Sequence, residues 1–87
     1  MTTVALMRRR PDTAETETIA RFSVADPGGP AVMEPVPPHD RAGIDAILSG
    51  GVADARGALV DPADGEAYLA ALLETFRGSR LWAERVP

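Results

Sequence analysis

Apolar and polar residues alternate in two stretches near the start of the chain. Across residues 3–9, Val4 and Leu6 alternate with Ala5 and Met7, which reads as a β-strand. Residues 16–25 carry the clearer two-residue period. Thr16, Thr18, Ala20, Phe22 and Val24 fall on one face and Glu17, Arg21 and Ser23 on the other, with Ile19 as the exception. A third strand, residues 31–36, is flanked by Pro30 and broken by Pro35, Pro37 and Pro38. Proline cannot donate to a β-ladder, so this strand belongs at a sheet edge. Pro11-Asp12-Thr13 and Asp26-Pro27-Gly28-Gly29 supply turn chemistry between the strands.

The period then lengthens from two residues to 3.6. Asp40 is placed to cap a short helix whose apolar face is Ile44, Ile47 and Leu48, with Ser49-Gly50-Gly51 ending it. Asp54-Ala55-Arg56-Gly57 fits a type I turn, and Ala58-Leu59-Val60 a short strand. A second helix is expected from Asp61 as cap and Pro62 as first residue, with Asp64 adding negative charge to the first turn. Its stripe is Tyr68, Leu69, Leu72, Leu73 and Phe76, and Arg77-Gly78 supplies the stop. A last strand, residues 80–86, holds Leu81, Trp82 and Ala83 and is expected to add beside the first. The order β-β-β-α-(β)-α-β implies one α+β domain over residues 1–87. Its expected form is an antiparallel sheet of about four strands with both helices packed on one face.

Composition narrows the chemistry. The chain of 87 residues has no Cys, which removes disulfides and thiolate metal sites. It also lacks Lys, Asn and Gln while Ala, Gly, Pro and Arg are abundant, a bias expected of a GC-rich genome. Schiff-base chemistry on a lysine is therefore excluded. The net charge of −4 does not suit a polyanion binder. The apolar start is too short for a signal peptide or a membrane span, so the expected location is cytoplasmic, with no membrane partner.

Individual constellations mostly have structural explanations. Arg8-Arg9-Arg10 is the one basic cluster. In a hairpin about residues 11–14 it faces Glu15 and Glu17, so cross-strand pairing accounts for it better than nucleic acid does. His39 lacks the companion ligands of a metal site and the nucleophile of a hydrolase. Asp61 through Glu66 departs from a calcium loop, since position three is Ala63 and position twelve is Leu72. Gly50-Gly51 and Gly57 lack the spacing of a phosphate cradle. Pro35-Val36-Pro37-Pro38 has polyproline character but serves as a rigid connector leaving an edge strand. Trp82 stands between charged residues and could anchor a partner, yet so few aromatics favour placing it in the core.

The run Val60-Asp61-Pro62-Ala63-Asp64-Gly65-Glu66-Ala67-Tyr68-Leu69, continuing through Ala71-Leu72, and then Arg77-Gly78-Ser79-Arg80-Leu81-Trp82-Ala83, resembles the C-terminal part of short uncharacterised proteins of GC-rich bacteria. The resemblance covers about a third of the chain and implies a self-standing domain without assigning an activity.

These residues specify no catalytic, cofactor or metal site, and no cofactor is called for. The leading expectation is a non-catalytic protein-interaction or accessory domain, with a protein partner or a second copy of itself. The candidate contacts are Val32 and Met33 on the edge strand, together with Trp82 and Arg80. The alternative is a small ligand-binding domain or an enzyme whose acid–base groups are carboxylates, Tyr68 or His39. Nucleic-acid binding through Arg8–Arg10 ranks last.

Overall fold

Alternation near the N-terminus and helical stripes further on produce the expected layers. The computed structural model describes residues 1–25 and 28–87. Its elements are β1 (Thr2–Arg9), β2 (Thr16–Val24), β3 (Val32–Pro35), α1 (Arg41–Ile47), α2 (Gly65–Thr75) and β4 (Leu81–Val86), with a 3-10 turn over Leu48–Gly50 after α1. The strands form one antiparallel sheet in the order β3-β2-β1-β4. The fold is α+β, and β4 adds beside β1. Of the turn anticipated between β2 and β3, Asp26 and Pro27 lie outside the described residues.

One sheet face carries the core. Val4, Leu6, Ala20, Phe22 and Val24 are buried there, against Ile44 of α1 and Tyr68, Leu69, Ala71 and Leu72 of α2. Helix α2 crosses β1, β2 and β4, and α1 packs on β3. Leu81 and Ala83 of β4 join this core from its margin. Burying such side chains is the main stabilising term, roughly 1.5–3 kcal/mol for each large one.

A β-bulge changes the expected facing of β2. Leu6 pairs with Ala20, but Met7 pairs with Thr18, so β2 holds one extra residue at that point. Ile19 and Ala20 are consequently both buried. An inserted residue reverses the alternation beyond it. Thr18 therefore leaves the Phe22 face and donates its hydroxyl to the Met7 Sδ at 3.2 Å. Glu17 takes the opposite side, across from Arg8. Ile19 as an exception to the pattern was the trace of this bulge.

The helix starts differ from one another. Asp40 caps α1 as expected, its Oδ1 accepting from the Gly43 N–H at 2.8 Å. Asp61 does not cap α2: its Oδ1 accepts from the Ala63 N–H at 2.8 Å, and its carbonyl from the Asp64 N–H at 2.9 Å. Pro62 thus sits in a preceding turn, and the helix begins one turn later, at Gly65. Close packing explains the delay. Gly65 is buried, and a Cβ there would strike the Gly29 carbonyl oxygen and stand 2.7 Å from Val24 Cγ2.

The segment between the helices is a small closed loop. The Gly57 N–H donates to the Asp54 carbonyl at 2.9 Å, as a type I turn requires, and Gly57 has φ 84°. The strand anticipated at Ala58-Leu59-Val60 reduces to a single bridge between Ala53 and Leu59. The Thr75 hydroxyl ties this loop to the end of α2 by accepting from the Ala53 N–H and donating to its carbonyl.

Candidate functional site

The second face of the sheet has no helix on it. Its rungs follow from the strand register. One is Val32–Ser23–Thr3–Val86, the next Glu34–Arg21–Ala5–Glu84, and the third Thr18–Met7–Trp82. Val32 is 62% exposed and Val86 40% exposed. Ala5 is only 4% exposed, the small residue at the centre of its rung. Arg21 and Glu34 are exposed cross-strand partners that form no ion pair among the described residues.

Trp82 lies on this open face, which corrects its expected place in the core. Alternation decides the matter: Leu81 and Ala83 turn toward α2, so Trp82 must turn away. Its ring is half-buried beneath the Arg9 guanidinium, whose Cζ stands 5.6 Å from the ring centroid. Arg9 is held over the ring by donating to the Ser79 carbonyl at 3.3 Å and the Ala14 carbonyl at 3.1 Å. A cation over an indole at an exposed site contributes about 0.5–1 kcal/mol. Arg80 is exposed beside this corner, its carbonyl accepting from the Arg9 N–H at 2.9 Å.

The two edge-strand candidates part company. Val32 projects from the open face, whereas Met33 packs toward the core opposite Phe22. The outer rim of β3 also offers little to an added strand. The Ala31 N–H donates to the Pro62 carbonyl at 2.8 Å, the Met33 carbonyl accepts from Arg41 at 3.2 Å, and Pro35 has no N–H. A short strand, a proline and a covering arginine are common ways to blunt an edge.

The basic run faces acid, as the hairpin register requires. Arg8 pairs with Glu17 at 2.9 Å, Arg10 reaches its second oxygen at 3.3 Å, and His39 Nε2 lies 2.9 Å from Oε1. Burial raises the Glu17 pKa, but the His39 hydrogen bond and the two guanidinium groups outweigh it and hold the carboxyl below its ordinary value. His39 thus links the β3–α1 connector to β2.

A separate pocket of about 220 Å³ opens where β3, α1 and α2 meet. Phe22 and Tyr68, tilted at 48° with centroids 6.2 Å apart, belong to its wall, and Arg41 and Asp45 to its rim. Burial raises the Tyr68 pKa, and the Asp45 charge raises it further. The sequence marked Tyr68 as a core position and as an acid–base candidate of the alternative reading, and left Arg41 and Asp45 unremarked. Their i, i+4 spacing on α1 was visible, but their approach to Tyr68 was not.

Comparison with family models, curated proteins and solved structures gives no match for this chain. Among the described residues, no three His, Cys, Asp or Glu side chains are grouped to hold a metal ion. No helix there is long and apolar enough to cross a membrane.

Proposed function

We propose that this domain is a non-catalytic interaction module that associates with a second copy of itself through the open sheet face. The observation that carries the reading is the Arg21–Ala5–Glu84 rung, a small residue between opposite charges. A two-fold axis lying between two copies, parallel to β1 and above it, sets Ala5 against Ala5. It also brings Arg21 of each copy toward Glu84 of the other, and the same operation places Met7 near Met7 and Thr18 near Trp82. Sheets packed face to face lie about 10 Å apart, within reach of paired long side chains. An isologous contact of this kind is self-complementary by construction. Three short strands make a small footprint, so the dimer belongs with transient interfaces below about 1,200 Å².

Sedimentation equilibrium across a concentration series tests this reading. The natural chain is expected to dimerise as concentration rises, and Arg21→Glu or Glu84→Arg to stay monomeric. The double variant carrying both changes restores the charge pairs and should dimerise again. A natural chain that remains monomeric throughout, or a double variant no better than the singles, overturns the proposal.

A further inference from the structure

The pocket between α1, β3 and α2 lies on the other side of the sheet from the proposed dimer face, and its chemistry is of a different kind. We infer that it binds a small free amino acid with a branched apolar side chain, with Arg41 receiving the carboxylate and Asp45 the ammonium group. Three observations carry this. First, Arg41 and Asp45 are one helical turn apart yet make no ion pair with each other. Arg41 instead bends toward β3 to donate one N–H to the Met33 carbonyl at 3.2 Å. A guanidinium has five N–H donors, so others stay available.

Second, Asp45 makes no ion pair or side-chain hydrogen bond among the described residues, although its charge is felt at Tyr68. An ammonium group placed there gains a carboxylate that has no other partner among the described residues. Third, the lining includes the apolar and aromatic side chains of Phe22, Met33, Leu48 and Tyr68, and the volume is about 220 Å³. Pockets for drug-sized ligands run roughly 300–1,000 Å³, so the occupant here is smaller. The opposite charges of Arg41 and Asp45, with apolar and aromatic side chains lining the same hollow, match a zwitterion bearing a short hydrocarbon side chain.

Two other features were weaker. The hollow of about 300 Å³ beside Met1 and Val32 has Ser23 and Glu34 as its polar side chains and no cationic side chain in its lining. Arg8, Arg10 and His39 converge on the one carboxylate of Glu17, whose two oxygens are thereby occupied.

The test is an amide-resolved NMR titration with three probes: L-leucine, 4-methylpentanoate, which lacks the ammonium, and 3-methylbutylamine, which lacks the carboxylate. L-Leucine is expected to shift the amides of 41–48 together with those of Phe22, Met33 and Tyr68. Each single-charge analogue should bind about tenfold or more weakly, as loss of one charge-assisted hydrogen bond implies. Asp45→Asn and Arg41→Gln, both at exposed positions, should each weaken leucine binding about tenfold while leaving the remaining spectrum in place. Three outcomes would each overturn the inference: no leucine-dependent shifts at the pocket, equal binding of all three probes, or undiminished binding in both variants. The dimer is read at Arg21 and Glu84, so either proposal can fail without the other.

Discussion

The same four strands present two unlike faces. Under the helices, side chains such as Leu6, Ala20 and Leu72 are fully buried, and among the described residues no polar or charged residue is buried with them. On the open face, Met7, Trp82, Thr3 and Thr18 are half-buried among arginines and glutamates. The covered face holds the fold together by removing apolar area from water, while the open face keeps a mixed surface whose pattern suits recognition. A sheet in which every second residue serves stability leaves the remaining half available for contact.

The largest test of this contrast compares two aromatics. Phe22→Ala removes a ring that is 2% exposed and should cost about 3–5 kcal/mol. A domain of this size has roughly 4–13 kcal/mol in total, so urea denaturation should show a severely weakened fold. Trp82→Ala should cost about 1 kcal/mol or less in the same assay, mostly through the lost Arg9 stacking. Equal losses would break the distinction between the faces.

Gly65→Ala probes how closely α2 approaches the β2–β3 connection. Overpacking costs about 1–3 kcal/mol, and improved helix propensity returns up to about 1 kcal/mol. The expected net result is a lower Tm by calorimetry, and a raised Tm would mean that Gly29 moves aside freely. Asp40→Ala, which removes the α1 cap, should cost about 1 kcal/mol.

The smallest expected effect is electrostatic and pH-dependent. The folded-state pKa of Glu17 is depressed, so its ion pairs stabilise the protein above the ordinary glutamate value. That contribution is lost as pH falls through the lowered folded value. Glu17→Gln should therefore melt slightly below the natural chain at neutral pH, with the gap closing on acidification below about pH 4. A gap that persists at low pH would point to packing and away from charge.

Much of the fold was legible in local patterns. The two-residue period located β1 and β2, the proline cluster marked β3 as an edge, and Asp40 marked the start of α1. These signals depend on neighbours close in sequence. Asp61 misled because aspartate followed by proline serves equally well in a turn, and only the contact of Gly65 with Gly29 decided where α2 began. Of the named contact residues, Val32, Trp82 and Arg80 are on the surface at the open face or its margin, whereas Met33 turns inward.

The sequence by itself determined the element order, the α+β class and the Arg–Glu pairing across the first hairpin, because period, capping and turn chemistry act over a few residues. The tertiary structure alone decided that a bulge at Ile19 reverses the end of β2. It also decided that Trp82 faces away from the helices and that Arg41 and Asp45 meet Tyr68 at one pocket. Each of these depends on which strands pair, in what register, and which sheet face the helices cover, and those choices are made by contacts between residues far apart in the chain.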